Sequence, residues 1–440
     1  MTEGNGRGTE NRGEQLIRFR SWLLEQLSAE LGDEGGALPS REHASQILQE
    51  AYQRSGAGLT DSLRNQLFED VLNKVLGYGP IQPLLDDPDV SEVMINGPQR
   101  VFVERKGRLE QAPVQFDDDD EVHRLIDRII LPLGRRIEPD HPTVDARLPD
   151  GSRVNAVIPP VALDGPSITI RKFAKERLMV EDLIRFGSIT ESMAKFLEAC
   201  VAAKLNIVVS GGTGSGKTTL LNILSASIPE GERLVTIEDA AELQLQHVNL
   251  VRLETKAPNV DGHGEVPIRH LVRNALRMRP DRIIVGEVRG GEAVDMLQAM
   301  NTGHDGSLTT VHANSPRDAT SRLETLSLMS GVDLPLKVVR QQIASAVDVI
   351  VQQTRLRDGS RKVTSITEVV GMEGDTIVMS EIFRFEEEGI SEGGKVLGEL
   401  KPTGIRPMFG EKLELAGFKM TAAIYGAGTL EMPGRRQRSR

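Results

Sequence analysis

The chain has 440 residues, enough for two or three domains, and a net charge of −11 that argues against a surface made for nucleic acid. Its one cysteine, Cys200, excludes an intramolecular disulfide and fits a reducing compartment. No apolar run approaches 18 residues, and residues 1–6 lack the apolar core of a secretion signal. We therefore expect a cytoplasmic protein without a nucleic-acid partner, which reaches a membrane only through other proteins.

The N-terminal part shows helical periodicity. Residues 1–13 contain almost no apolar side chains, and we expect them to be disordered. Apolar residues then recur at helical spacing in three stretches, separated first by a glycine-rich break over residues 32–36. This pattern predicts a small helical domain over residues 14–77.

From residue 78 the pattern changes to short β-strand runs. We expect strands over residues 91–97, 100–104 and 107–116, followed by a helix that begins at an acidic run. Three later β segments each carry an arginine: Arg147, Arg153 and Arg171. The prediction is an α+β domain over residues 78–175, and a helical linker over residues 176–200.

The segment from Gly211 to Thr218 has the spacing G-x-x-x-x-G-K-[ST], between an apolar strand and an apolar helical run. Glycines let the backbone wrap around phosphate oxygens at the positive end of the helix. Lys217 is expected to reach the β- and γ-phosphates, and the Thr218 hydroxyl to hold Mg²⁺. The chain is thus predicted to bind ATP and Mg²⁺. The expected contacts are Gly211, Gly212, Thr213, Gly214, Ser215, Gly216, Lys217, Thr218 and Thr219.

Beyond this loop, strand-like runs at 233–237, 282–286, 306–311 and 345–352 alternate with helical runs. This alternation predicts an α/β nucleotide-binding core with a largely parallel sheet over residues 201–430. Residues 431–440 are rich in arginine and are expected to form a disordered basic tail.

Two acids, Glu238 and Glu287, follow apolar runs, and the carboxyl ends of strands are where ligands bind in open α/β sheets. Either acid alone could be an ordinary charge at a helix start, whereas together they predict Mg²⁺ coordination and activation of a water. Gly286 stands where many ATPases carry Asp. His304 and His312 flank a Thr-rich strand. His312 is predicted to hydrogen-bond the γ-phosphate or Glu287, although a structural histidine is the alternative.

As a set, these segments resemble the type II/type IV secretion ATPase superfamily, and most closely the CpaF-like motor ATPases of the Tad (Flp) pilus. The resemblance implies that Glu238 lies in the aspartate box, that Glu287 closes an atypical Walker B motif, and that His304 and His312 form the histidine box. The matching segments are residues 78–85, 147–155, 168–173, 211–218, 236–239, 276–289 and 309–315.

The resemblance also implies a RecA-like core preceded by a PAS-like α+β domain, assembled as a homohexamer with ATP bound between the two domains. Arg153 and Arg171 would reach the γ-phosphate, with Arg147 and Arg277 behind them. Hydrolysis would drive pilin assembly or protein secretion through a platform at the cytoplasmic face of the inner membrane. The alternatives are a type IV secretion ATPase that moves protein or DNA, and a nucleotide-gated scaffold without turnover.

Overall fold

A computed structural model describes residues 7–32, 40–173, 178–258 and 262–426. Contacts divide the chain into two compact units, residues 1–174 and 175–440. Across the described helices, none has both the length and the hydropathy that a membrane crossing requires. The expected tail over residues 431–440 lies outside the described residues.

Three helices form the beginning of the first unit. Ser40 and Thr60 cap the second and third helices, because each side chain accepts a hydrogen bond from the first helical turn. The three helices share a core that includes Leu23, Leu48 and Val71. The helices are α1 (Arg7–Gly32), α2 (Arg41–Ser55) and α3 (Asp61–Val75).

The expectation of disorder over residues 1–13 is wrong from Arg7 onward, where α1 begins. Once a helix is nucleated, each further residue adds a hydrogen bond at little cost. The helix that the apolar stretch after residue 14 stabilises therefore extends back through polar residues, which show no apolar periodicity of their own. Residues 1–6 lie outside the described part of the chain.

The rest of the first unit is a six-stranded antiparallel sheet in the order β3-β2-β1-β6-β5-β4. A helix, α5, is capped by the Asp118 side chain and buries Val122, Ile126 and Ile130 in the same core as the sheet. The elements are α4 (Gln82–Asp86), β1 (Val90–Asn96), β2 (Val101–Arg105), β3 (Arg108–Gln111), α5 (Asp119–Ile130), β4 (Thr143–Arg147), β5 (Arg153–Val157) and β6 (Ser167–Arg171), with 3₁₀ turns at Gly79–Ile81 and Leu131–Leu133.

The second unit is built on a nine-stranded sheet in the order β15-β14-β13-β12-β7-β11-β10-β8-β9. The strands are β7 (Ile207–Gly211), β8 (Leu234–Glu238), β9 (Leu250–Glu254), β10 (Arg282–Val288), β11 (Leu308–His312), β12 (Val349–Arg355), β13 (Arg361–Glu373), β14 (Thr376–Ile390) and β15 (Val396–Pro402). The helices are α6 (Val180–Arg185), α7 (Glu191–Ala202), α8 (Lys217–Ser225), α9 (Ile268–Ala275), α10 (Glu292–Asn301), α11 (Pro316–Leu328), α12 (Leu336–Ala346) and α13 (Gly410–Leu415).

The α/β class predicted from the sequence is confirmed. The strands from β12 to β9 are parallel, and helices pack against both faces, so that every residue of β7 is buried. The sequence analysis did not predict β9, nor the strands β13, β14 and β15, which extend the sheet in antiparallel order at one edge. The sheet as a whole is therefore mixed.

The expected linker over residues 176–200 is part of the core of the second unit. Leu183 of α6 is buried, and Phe196 of α7 is fully buried with its ring centroid 5.4 Å from that of Phe383. A helix that buries an aromatic face against the sheet is fixed by packing and cannot act as a free connector. Residues 176 and 177 lie outside the described residues.

Candidate nucleotide-binding site

The loop from Gly211 to Lys217 joins β7, the central strand of the nine-stranded sheet, to α8. Gly214 and Gly216 have φ angles of 67° and 97°, a backbone region that side-chain-bearing residues rarely adopt. Gly216 directly precedes α8 and has no side chain with which to cap the helix. The N–H groups at this helix start can therefore bind an anion.

The donors inside this loop converge on one backbone oxygen. Lys217 Nζ donates to the Gly212 carbonyl at 3.0 Å, and Ser215 Oγ donates to the same oxygen at 2.9 Å. Burial lowers the pKa of Lys217, and the negative charge of Glu287 opposes that shift. This electrostatic interaction indicates that Glu287 lies near the phosphate loop. A phosphate oxygen can accept the same donors, so these residues fit a nucleotide phosphate.

Glu238 ends β8 and is only 3% exposed. Its Oε2 accepts hydrogen bonds from the backbone N–H groups of Glu242 at 2.7 Å and Leu243 at 2.9 Å. Its Oε1 is buried without a hydrogen-bond partner within the described residues. Burial raises the pKa of Glu238, while the two N–H bonds act in the opposite direction. One carboxylate oxygen is therefore anchored and the other is left to accept a ligand or a water proton.

The geometry around Glu238 explains why glycine precedes Glu287. A Cβ built on Gly286 would lie 2.9 Å from Cγ of Glu238, closer than real carbon contacts allow. The Glu238 side chain thus occupies the space in which an aspartate at position 286 would stand. An acid of the neighbouring strand thus lies where the usual motif has an aspartate.

Glu287 lies near the carboxyl end of β10, on the strand beside β8. Its Oε2 accepts hydrogen bonds from Arg289, from Nε at 2.9 Å and from Nη2 at 2.6 Å. Arg289 also approaches Asp239, with 3.7 Å between Nη1 and Oδ2. Arg289 was not singled out from the sequence, although it lies inside one of the matching segments. Its guanidinium fixes the orientation of the Glu287 carboxylate.

The residues at this edge also fit Mg²⁺. Thr218 follows Lys217 in the first turn of α8 and supplies a hydroxyl, and Glu238 and Glu287 supply carboxylates. Within the described ranges, no group of three His, Cys, Asp or Glu side chains could hold a metal by itself. Mg²⁺ usually takes few protein ligands together with substrate phosphates and water, so this sparse donor set suits it.

The two predicted histidines occupy different environments. His312 ends β11, pairs in register with Gly211 of the phosphate loop and is exposed. His304 precedes the strand, where its carbonyl accepts a hydrogen bond from Ser307 Oγ at 2.7 Å. The structure thus places His312 next to the start of the loop, while its bond to a phosphate stays a prediction.

The arginines predicted to reach the γ-phosphate lie in the first unit. Arg147 pairs in register with Arg153, and Arg153 pairs with Arg171, so that the three form one row across β4, β5 and β6. Arg171 is exposed and its Nε lies 2.5 Å from Oε1 of Glu92. The phosphate loop belongs to the second unit. The structure brings these arginines together with one another, and their contact with phosphate stays a prediction.

The sequence analysis predicted most of β12 but missed β13, and the β12–β13 hairpin borders the phosphate loop. Gln353 of β12 pairs in register with Gly211, and a Cβ on Gly216 would lie 3.1 Å from Gln353 Nε2. Arg361 Nε donates to the Gly214 carbonyl at 2.9 Å. No motif marks these residues, because they meet the loop only through the pairing of β12 with β7.

A family model described as "Type II/IV secretion system protein" matches residues 74–388, which is more than half of the chain. The chain belongs to this family. Family membership confirms the superfamily part of the sequence resemblance. The match begins at the end of α3 and includes the arginine row, the phosphate loop, both acids and both histidines.

Proteins similar to this chain are named as conjugal transfer or type IV secretion proteins. "Putative conjugal transfer protein Rv3659c" of Mycobacterium tuberculosis is 38% identical over 333 residues, 74% of this chain and 94% of that protein. "Type IV secretion system protein PtlH" of Bordetella pertussis is 37% identical over 64% of this chain and 91% of that protein. The solved VirB11 ATPase of the Brucella suis type IV secretion system is 34% identical, over 65% of this chain and 91% of that chain, with a TM-score of 0.36.

Proposed function

We propose that this protein is a motor ATPase, which couples ATP hydrolysis to the movement of macromolecules through a cell-envelope machine. The observation that carries the proposal is that Lys217, Glu238 and Glu287 follow or end the parallel strands β7, β8 and β10, so that all three lie at the carboxyl end of the sheet. A loop that binds phosphate is enough for a nucleotide switch, whereas hydrolysis also needs groups that activate water. A scaffold that binds ATP without turnover would not require two acids at this end of the sheet.

In this proposal, each residue acts on a defined part of the nucleotide. The loop N–H groups from Gly211 to Thr219 surround the phosphates, and Lys217 contacts the β- and γ-oxygens. Thr218, Glu238 and Glu287 would hold Mg²⁺, which neutralises charge on the phosphates when it is bound. Glu238 has a free buried oxygen that can take a proton from water, and Glu287 is oriented by Arg289. His312 would hydrogen-bond the γ-phosphate or Glu287 and so report the nucleotide state.

The proposed motor also needs the arginines of the first unit and a ring of subunits. The α+β domain over residues 78–175 would supply Arg153 and Arg171 to the γ-phosphate bound by residues 201–430. Guanidinium groups suit this role because they stay charged and make bidentate contacts to phosphate. A homohexamer would close the head-to-tail interface between copies, which otherwise forms an open filament. The arginines would then contact ATP and leave after hydrolysis.

For the transported substrate, the names of the relatives favour a type IV secretion or conjugation-like machine, which moves protein or DNA. The relatives are conjugal transfer and type IV secretion proteins, and no Tad protein is among those named above. A second candidate is the Tad pilus motor expected from the sequence. It is favoured by the helical module α1–α3, nearly all of which precedes the family match. Both candidates place the protein at the cytoplasmic face of the inner membrane, bound to a platform protein.

The proposal is tested by phosphate release from the purified protein with Mg²⁺ and ATP. Lys217→Ala should abolish turnover, because the γ-phosphate loses its main cationic contact, while nucleotide binding weakens less since the loop backbone remains. A wild-type protein that binds ATP without releasing phosphate would support the scaffold alternative instead. Deletion of the gene, followed by separate assays of DNA transfer and of pilus display, distinguishes the two transport candidates.

A further inference from the structure

The β12–β13 hairpin lies against the phosphate loop through side chains that the ATPase motifs do not include. Arg355 and Arg361 are paired in register where the hairpin begins to turn. A Cβ on Gly214 would lie 3.5 Å from Arg355 Nη1, and one on Gly216 would lie 3.4 Å from Arg361 Cδ. The two arginines therefore contact the loop from the side of the hairpin.

Arg361 makes a directed bond to the loop backbone. Its Nε donates to the Gly214 carbonyl at 2.9 Å. In a trans peptide, the carbonyl and the following N–H point in opposite directions. The N–H that follows is that of Ser215, which points at the Gly212 carbonyl, 3.4 Å away. The bond from Arg361 thus fixes the Gly214–Ser215 peptide so that the Ser215 N–H is directed into the loop. It points towards the Gly212 carbonyl, which Lys217 Nζ also contacts.

A hydrogen bond from outside the loop stabilises the Gly214–Ser215 peptide, because the backbone at Gly214 is free to rotate. Its φ of 67° belongs to a region that glycine enters and leaves without steric cost. A peptide on the far side of such a residue can turn its N–H away from a phosphate. A hydrogen bond to the Gly214 carbonyl prevents that rotation.

The backbone of Arg361 is itself anchored. Its carbonyl accepts a hydrogen bond from Ser188 Oγ at 2.6 Å, and Val363 N donates to the Ser188 carbonyl at 2.9 Å. Lys362 Nζ donates to the Gly187 carbonyl at 2.8 Å. The segment between α6 and α7 therefore holds the start of β13, so that the exposed Arg361 side chain extends from a fixed point.

We propose that Arg361 is a positioning residue for the phosphate loop, which sets nucleotide affinity by holding the Gly214–Ser215 peptide in its binding orientation. The inference rests on the proposed function, since it assumes that the loop binds nucleotide phosphates. Arg361 acts through the backbone carbonyl and not on the phosphate itself. Its loss should therefore change the dissociation constant for MgADP more than the rate of the chemical step.

The test compares Arg361→Met with Arg361→Gln. Both side chains have the length of arginine up to Nε, but glutamine keeps an N–H donor at that position and methionine does not. Arg361→Met should weaken MgADP binding about tenfold, the lower end of the range for a hydrogen bond to a charged group. Arg361→Gln should retain most of the affinity, and kcat at saturating ATP should change less than the MgADP dissociation constant in both variants.

A matched control is Arg357→Met, which removes an exposed arginine of the same hairpin that pairs with Glu387. MgADP affinity is measured by calorimetry, and amide hydrogen exchange over residues 212–218 gives a second readout. We expect faster exchange in the free Arg361→Met protein and near wild-type exchange in the glutamine and control variants.

The outcomes separate the two proposals. If wild type binds MgADP and Arg361→Met binds it equally well, the positioning role is wrong and the ATPase proposal stands. If methionine and glutamine weaken binding equally, the charge matters and not the bond to the carbonyl, which also overturns the inference. A wild-type protein that binds no MgADP contradicts the proposed function itself.

Discussion

Replacement of Gly286 by alanine tests whether Glu238 occupies the place of the usual Walker B aspartate. Gly286 is not among the glycines with a positive φ, so alanine adds no backbone strain and its effect is steric. The new Cβ would lie 2.9 Å from Cγ of Glu238. Carbon atoms in contact are normally about 3.5 Å apart or more, so Glu238 must move by about 0.6 Å.

Glu238 cannot move without cost, because its carboxylate accepts the N–H groups of Glu242 and Leu243 at 2.7 and 2.9 Å. A shift of this size lengthens both bonds towards the limit for hydrogen bonding. We expect Gly286→Ala to lower the free energy of unfolding by about 1–3 kcal/mol, as other overpacked cores do. Phosphate release should fall on the order of 10²-fold, since a catalytic group is displaced by a fraction of an ångström.

The assay is urea unfolding together with phosphate release, with Gly231→Ala as the control, because a Cβ there meets nothing within 4 Å. In a Glu238→Ala background the clash is gone, and Gly286→Ala should then change stability by less than about 0.5 kcal/mol. If Gly286→Ala alone has wild-type stability and wild-type turnover, the steric reasoning is refuted.

Three further predictions concern the same site and its arginines. Glu287→Gln and Glu238→Gln should each lower phosphate release on the order of 10²–10⁴-fold, non-additively if both act on one water; normal turnover in both variants would refute their assignment. Arg153→Ala and Arg171→Ala should keep ATP binding and lose turnover, and turnover should rise with protein concentration as rings form, which mass photometry beside the activity assay can check. Burial raises the pKa of Glu238, so the contribution of this group to the free energy of unfolding is present at low pH and is lost as pH rises through that raised pKa. Glu238→Gln should therefore flatten this part of the profile of stability against pH. Equal pH slopes for the two proteins would contradict this prediction.

The sequence predicted the parts of this site that local patterns specify. The phosphate loop, the strand before it and the acids Glu238 and Glu287 are recognisable because each motif needs only a few adjacent residues. Arg361 could not be predicted, since it reaches Gly214 from 147 positions away through strand pairing. The position of Glu238 in front of Gly286 likewise depends on the register of β8 with β10.

The fold was predicted from the sequence to a similar extent. Alternating strand and helix runs specified five of the six parallel strands, β9 being the exception, because both signals lie within a dozen residues. The antiparallel strands β13 to β15 have mixed exposure, and the sequence analysis did not use the hairpin turn signals Asp358-Gly359 and Gly374-Asp375 beside them. The helices α6 and α7 look like a connector in the sequence, and only the partners of Phe196 show that they belong to the core.

The row of Arg147, Arg153 and Arg171 has a consequence for the stability of the first unit. Like charges at directly opposed positions of an antiparallel sheet repel one another. Glu92 pairs in register with Arg171 and supplies a negative charge at one end of this row. Multivalent anions should stabilise this unit against heat more than chloride does at equal ionic strength. The melting temperature of this unit in different salts therefore tests whether the row binds anions.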